Sequence, residues 1–448
     1  MASKIVAERA ERTKWFREAR FGMFIHWGLY AIPARGEWVR GQECMSRDEY
    51  MRYFDEFAAE EYDPREWAAL AKKAGMKYAV LTAKHHDGFC LWDTKLTDFK
   101  ATGTPAKRDL VREYLEAFRE ADIKVGLYFS LIDWHHPDYP HYGDRHHPSR
   151  KDPAQGNEGR DFDRYLEYMH GQIRELLTDY GKLDIMWFDF SYDEMSGEKW
   201  KAGEIMRMAR SLQPHMIVDN RLEASGDSNG TILAAEPSDS AGDFACPEQM
   251  IPPFGVRNEL GESVPWEACI TLNNNWGYHA SDRHWKSAEM VIRMLAECVS
   301  KNGNLLLNVG PDAKGRIPRS SVAILEEVGR WMVDNGAGIY GCGAADGGAA
   351  SLDKPDWGRF TKKGSLLYAH VHESQAGGLC LPGMAGKIEK MRLLRDGSEL
   401  RPGTYWNLKP YPEHAFFFLN QDTYDNYPLP DPASTVVEIT LKAQEKPS

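Results

Sequence analysis

The sequence predicts an α/β fold: a (β/α)8-like barrel followed by a C-terminal antiparallel β-sandwich. Three observations carry this expectation. Short apolar, β-rich runs alternate with amphipathic helical stretches through the first 340 residues, the βαβα order of a parallel sheet flanked by helices. The runs are apolar on both faces, as strands covered by helices must be. After about residue 345 a glycine-rich stretch gives way to short alternating segments separated by turns, the pattern of a small sandwich.

Taken in order, the expected strands are FGMFIHWG (21–28), MKYAVLTAKH (76–85), KVGLYFSL (124–131), LDIMWFDF (183–190), MIVDN (216–220) and LLLNVG (305–310). The expected helices are 64–75, 108–122, 160–181, 203–214 and 286–303. Several end in glycine, the usual C-cap. Leu110, Val111, Tyr114, Leu115 and Phe118 share one helical face. A doubly wound open sheet would also fit the alternation, but no glycine-rich nucleotide fingerprint follows any strand. Past the linker-like GCGAADGGAASLDKP come RFTKKGSLLYAHVHES, GKIEKMRLLRDG, HAFFFLN and STVVEITL. The expected domains are therefore 1–345, the barrel, and 346–448, the sandwich. Two units suit 448 residues, since single cores stop growing near ~250–300 residues. No internal repeat is present.

A net charge of −12 argues against a nucleic-acid partner, which needs a basic face. The N-terminal MASKIVAERAERTKW has no signal-peptide apolar core, and no run approaches a membrane span. The seven cysteines (44, 90, 246, 269, 298, 342 and 380) are dispersed, without CxxC spacing. An odd, scattered set predicts reduced thiols and a cytoplasmic location.

In a barrel the C-terminal strand ends face the site. Those ends supply His26; His85 and His86; Tyr128, with Trp134 and His135 beyond it; Trp187 and Asp189; and Arg221. Each alone reads equally well as a core residue, but five strands delivering polar or aromatic groups to one rim point to a pocket. HHDGF (85–89) is poorly spaced for one metal, because adjacent histidines diverge, so a three-histidine zinc site is a weak expectation. The loop DWHHPDYPHYGDRHHP (133–148) is histidine-rich, and His141, His146 and His147 read as mostly solvated. Asp189, at a strand end against Trp187 and Phe188, is well placed as a nucleophile. Asp193 and Glu194 read as loop acids. A glycosidase would need a second carboxylic acid, with Glu223, Glu236, Asp243, Glu248 and Glu267 as candidates.

FGMFIHWGLYAIPARGEW, KYAVLTAKHHDGFCLWDTKLTDF, GLYFSLIDWHHPDY, IMWFD, VDNR, GDFACPEQ and WEACITLNNNWGY, in that order, resemble glycoside hydrolase family 29, the α-L-fucosidases. LLLNVGPDAKGRIP extends the resemblance, which covers the first 340 residues. It implies a barrel followed by a β-sandwich, no metal or other cofactor, and a retaining double displacement on a fucosylated oligosaccharide or glycoconjugate. It implies Asp189 as the nucleophile and Glu248 as the acid/base, with Glu267 the runner-up. It implies His26, His85 and His86 as holders of sugar hydroxyls, joined by Glu37 and Trp38. Tyr128 and Trp187 match pocket-lining aromatics, and Arg221 would keep the nucleophile ionised, while Glu248 would need a less polar setting. Two departures stand out: a longer stretch between Arg221 and Glu248, and Phe190 where many members carry glycine, which predicts a narrowed site. Large barrels of this sort often associate, so a homo-oligomer is compatible. Two rival readings are a metal-dependent barrel hydrolase using the histidines and a non-catalytic fucose-binding protein on the same scaffold.

Overall fold

A computed structural model describes residues 4–142, 144–152, 154, 156–192, 195–224, 228–345, 354–420 and 426–442. Seven parallel strands form its central sheet: β1 (Phe21–Ile25), β2 (Tyr78–Lys84), β3 (Lys124–Ser130), β4 (Ile185–Asp189), β5 (Ile217–Val218), β6 (Glu267–Thr271) and β7 (Asn304–Val309). Their order across the sheet is β5-β4-β3-β2-β1-β7-β6. The strand β6 is missing from the sequence expectations, because Trp-Glu-Ala-Cys-Ile-Thr lacks a β-branched apolar run. Between the two edge strands lies the segment 243–249. Phe244 bridges Asp219 beyond β5, while Ala245 and Glu248 bridge Trp266 and Cys269, all in parallel.

Helices α1 (Lys4–Arg12), α2 (Lys14–Ala19), α3 (Val39–Gln42) and α4 (Arg47–Glu56) precede the expected α5 (Pro64–Lys73). They are followed by α6 (Leu110–Glu120), α7 (Phe162–Asp179), α8 (Ala202–Leu212), α9 (Ala288–Ser300) and α10 (Arg319–Asn335). Their starts are written locally. Asp63, Asp109, Asp161 and Ser287 each cap a helix by accepting from backbone N–H groups of its first turn, which satisfies donors the helix leaves orphaned.

Strand alternation divides the core in two. Phe24, Tyr78, Val80, Tyr128, Ile185, Trp187, Ile217, Phe244, Cys246, Cys269 and Leu306 form one buried cluster inside the curl of the sheet. Their neighbours, such as Met23, Leu81, Leu127, Met186 and Leu305, pack outward with the helices. Period two therefore sends every second residue toward the site.

The C-terminal part holds β8 (Gly358–Lys363), β9 (Leu366–Val371), β10 (Leu379–Leu381), β11 (Ile388–Leu393), β12 (Glu399–Leu400), β13 (Ala415–Phe417) and β14 (Thr435–Leu441). A five-stranded antiparallel sheet, ordered β12-β11-β14-β9-β8, and the ribbon β10-β13 share one apolar core that includes Phe360, Leu367, Met391, Val437, Leu379 and Phe417.

Candidate active site

The inward residues at the C-terminal ends of the strands enclose a cavity of about 190 Å³. Its walls include His26, Glu37, Trp38, His85, Tyr128, Trp187, Asp189, Arg221 and Glu248. His86 is not on that wall. It is fully buried behind it, stacked on Trp134 at 4.0 Å and packed against Trp38 at 4.5 Å.

Asp189 ends β4, and both of its oxygens have partners. Tyr128 OH donates to Oδ2 at 2.9 Å and Arg221 Nη1 donates to Oδ1 at 2.9 Å. Burial pushes the Asp189 carboxyl above its ordinary value; Arg221 pulls it down, and the neighbouring Glu248 pushes it up again. Arg221 thus favours the ionised form of Asp189, as expected from the sequence, against the opposing effect of burial. Arg221 also reaches the other acid, with Nη2 donating to Glu248 Oε2 at 2.9 Å and to the Cys246 carbonyl at 3.2 Å. One guanidinium therefore spans both carboxylates.

Of the five acids left open by the sequence, Glu248 alone lines the cavity. Its side chain is 37% exposed and held by Arg221, so the less polar setting expected for it is not what surrounds it. The segment 243–249 brings it there through its bridge to Cys269. Asp243 lies buried at the opposite end, between Arg12 and Arg210. Glu223 accepts from Thr231 and Ser238, and Glu236 is exposed. Glu267 begins β6, so parallel strand direction puts it below the pocket floor. Asp193 and Glu194 lie outside the described residues.

His26 shows how the floor is tuned. Its Nδ1 lies 2.7 Å from Asn308 Oδ1, and Asn308 Nδ2 donates to the Trp276 carbonyl at 2.7 Å. That second bond orients the amide, so Nδ1 carries the proton and Nε2 is left as an acceptor. Burial lowers the His26 pKa to about 3 and holds His85 and His86 well below the ordinary value. All three are neutral imidazoles. His85 Nδ1 and both ring nitrogens of His86 are buried without a hydrogen-bond partner among the described residues. Glu37, 4% exposed, accepts from Gly277 N at 2.8 Å, and burial raises its pKa. Among the described residues, no group of three or more His, Cys, Asp or Glu is arranged to hold a metal ion.

Phe190, expected from the sequence to narrow the site, lines the cavity, and sequence reasoning misses the rest of the wall: Arg145, His146, Tyr192 and Trp276. His146, read from the sequence as solvated, instead packs 5.0 Å from Trp38 and 5.4 Å from Tyr192, because the proline-rich loop folds back over the strand ends. The aromatic spacing WHHPDY…HH carries no signal for that return.

The sequence model of the alpha-L-fucosidase family matches residues 3–337. The chain is 30% identical over 389 residues to the tissue alpha-L-fucosidase of Homo sapiens, covering 79% of this chain and 74% of that one. It superposes on alpha-L-fucosidase isoenzyme 1 from Paenibacillus thiaminolyticus with a TM-score of 0.92 and 56% identity, covering 97% and 100% of the two chains. A GH29 alpha-L-fucosidase from Bacteroides thetaiotaomicron, solved as a trapped covalent intermediate with 2-fluoro-fucosyl fluoride, matches with a TM-score of 0.79 and 28% identity over 97% and 96%.

Proposed function

The chain belongs to the alpha-L-fucosidase family, glycoside hydrolase family 29, and from that premise we propose that it is a retaining exo-α-L-fucosidase with Asp189 as nucleophile and Glu248 as acid/base. The observation that carries the assignment is the shared guanidinium: Arg221 holds Asp189 and Glu248 by opposite nitrogens, each at 2.9 Å. One planar group reaching both acids suits the ~5–5.5 Å separation of retaining enzymes better than the ~6.5–9.5 Å that leaves room for a water.

In the first step an Asp189 oxygen attacks the anomeric carbon. The glycosidic C–O bond breaks, and the departing oxygen takes the proton of Glu248. In the second, Glu248 takes a proton from water, the hydroxide oxygen bonds to the anomeric carbon, and Asp189 leaves as carboxylate. One water is consumed and the configuration is restored. Glu248 sits at the solvent-facing mouth, where a leaving group would enter and depart. His26, His85, Glu37 and Trp38 line the closed end, where they would pair the hydroxyls of a terminal fucose; His86 supports them from behind. A wrong sugar would leave these buried groups unpaired and be penalised for it. The trapped covalent species of the Bacteroides relative supports the double displacement.

The segment 243–249 serves as an eighth strand that closes the sheet into a (β/α)8-like barrel, and the five-stranded sheet with its ribbon forms a sandwich. The division falls at residues 345 and 346. No described helix is long and apolar enough to cross a membrane, and all seven cysteines are free, which favours a reducing compartment.

The test is turnover of an aryl α-L-fucoside by the wild type, by Asp189→Ala and by Glu248→Ala. Loss of an acid/base group costs about 10²–10⁴-fold, so Glu248→Ala should lose that much on poor leaving groups and be rescued by azide with retained configuration. Asp189→Ala should yield the inverted fucosyl azide. Wild type that binds fucose but hydrolyses no fucoside would establish the binding-protein reading instead. Exhaustive chelation that abolishes activity would establish the metal-dependent one.

A further inference from the structure

Glu267 is an acid that the reaction scheme does not use, yet it is fully buried directly beneath residues that the scheme needs. One of its oxygens accepts from Trp187 Nε1 at 3.3 Å. The other makes a short hydrogen bond with Tyr78 OH, which also accepts from Asn304 Nδ2 at 3.3 Å. Tyr78 can cross the barrel to reach it because Gly22 has no Cβ, which would stand 2.4 Å from the tyrosine ring. Above Glu267, the Trp187 indole stacks on Tyr128 with centroids 5.6 Å apart and an interplanar angle of 24°. The Arg221 guanidinium lies 4.8 Å over the same indole. Tyr128 and Arg221 are the two groups that hold the oxygens of Asp189.

Resting on the reading of Asp189 as nucleophile, we infer that Glu267 is a positioning residue for the fucosidase reaction: it fixes the Trp187 indole from below, and the indole in turn sets Tyr128 and Arg221 against the nucleophile. Among the described residues, Glu267 is the hydrogen-bond partner that Trp187 Nε1 has. Without it, a buried donor would be orphaned, and the ring would turn to satisfy it. The role differs from that of an acid/base. Strand direction places Glu267 at the start of β6, and Trp187 lies between it and the cavity, so its proton has no path to a leaving oxygen. Burial raises its pKa to about 8, which fits a group kept away from water and from any cation.

The test compares Glu267→Ala, Glu267→Gln and Trp187→Phe across aryl α-L-fucosides of graded leaving-group ability, with and without azide. A positioning role predicts that Glu267→Ala lowers kcat on good and poor leaving groups by the same factor, about tenfold, the coupling usual within one contact network. KM should change little and azide should not rescue. Glu267→Gln keeps an acceptor for the indole and should stay near wild type. Glu267→Ala combined with Trp187→Phe should cost no more than either alone. A loss confined to poor leaving groups and reversed by azide would overturn the inference, as would losses that multiply in the double variant.

A second readout does not depend on activity. The Trp187 Nε1–H resonance, assigned by its disappearance in Trp187→Phe, should move in Glu267→Ala and Glu267→Gln. An unmoved resonance overturns the inference even if the wild type proves to cleave no fucoside, so the two failures are distinguishable.

Discussion

Phe190 follows Asp189, the proposed nucleophile, with φ +77°, a left-handed backbone that costs a non-glycine residue about 1–2 kcal/mol. Glycine there would remove that cost, and its absence is explained by the ring. Phe190 packs edge-on to Trp38 at 5.7 Å and lies 5.8 Å from His85 and 5.5 Å from His86, on the wall of the cavity. Phe190→Gly should change stability little, since relieved strain and lost packing offset one another. It should raise kcat/KM for bulky leaving groups relative to small ones; an unchanged preference across an aglycone panel would refute the narrowing role. A second residue-scale expectation concerns pH. The folded state holds the Glu267 proton up to about 8 against an ordinary 4.5, with Tyr78, Trp187 and Asn304 bonded around it and Asp219, Cys246 and Cys269 nearby. Between those values the native chain binds more protons than the unfolded one, so this group's contribution is fully present below pH 4.5 and is lost as pH rises through 8. Across that window, raising the pH by one costs the native state about 1.4 kcal/mol. The difference in Tm between Glu267→Gln and wild type should therefore grow with pH across the window and then level off. Asp189 is legible from sequence because the end of an apolar run fixes its place at the C-terminal end of a strand. Arg145 and His146 are not, because their loop is placed by long-range packing that leaves no period.

At the scale of elements, the end of β2 decides how His85 comes to line the cavity while His86 packs behind it. The register of β2 on β3 slips between Thr82 and Lys84. The slip turns Lys84 outward, where its ammonium lies 3.3 Å from Asp133, 3.1 Å from Gln172 and 4.3 Å from the Phe129 ring centre. His85 is thereby left facing inward. Asp133 accepts from the backbone N–H groups of His135 and His136 at 2.9 Å, and Trp134 N donates to the His86 carbonyl at 2.8 Å. The ion pair thus clamps the histidine turn to the next loop. Both charges are essentially inaccessible to water, where removing one partner costs about 3–5 kcal/mol. Lys84→Met should lower the urea midpoint accordingly and raise KM for fucosides more than it lowers kcat, because binding groups move while Asp189 does not. A variant of wild-type stability would mean that Asp133 is satisfied by its N–H donors alone. The continuous apolar runs that reveal β1 to β4 cannot reveal this bulge, since a run apolar on both faces carries no phase for one residue to break. The same blindness hides β6, whose inward positions are Glu267, Cys269 and Thr271 rather than aliphatic residues.

At the scale of the molecule, the question is whether the C-terminal sheet is a passenger or a part of the catalytic unit's stability. The change of texture near residue 345 predicts a boundary, but a boundary in sequence says nothing about how tightly its two sides adhere. The seam is buried and specific. Arg293 on α9 donates to the carbonyls of Ala433 at 3.1 Å and His372 at 2.6 Å. Trp331 on α10 donates to the Ser434 carbonyl at 2.8 Å, and Thr361 on β8 donates to the Gly338 carbonyl at 2.6 Å. Tyr368 and Val436 belong to the same apolar cluster as the helices around the parallel sheet. Gly338 permits that contact, since a Cβ there would press on His370 and Val436 at 3.3 Å. A seam of this kind couples the melting of both sides, so heating should give a single transition in which fucosidase activity and the C-terminal tryptophan signal of Trp357 vanish together. Trp331 is 4% exposed, and truncating a buried tryptophan to alanine costs about 3–5 kcal/mol. Trp331→Ala should move the common transition to lower temperature while kcat at 25 °C stays unchanged, because the residue is not among those that line the cavity. Calorimetry that instead resolved two transitions, with the activity-bearing one unshifted, would establish that the C-terminal sheet melts independently and that the parallel sheet with its helices stands without it.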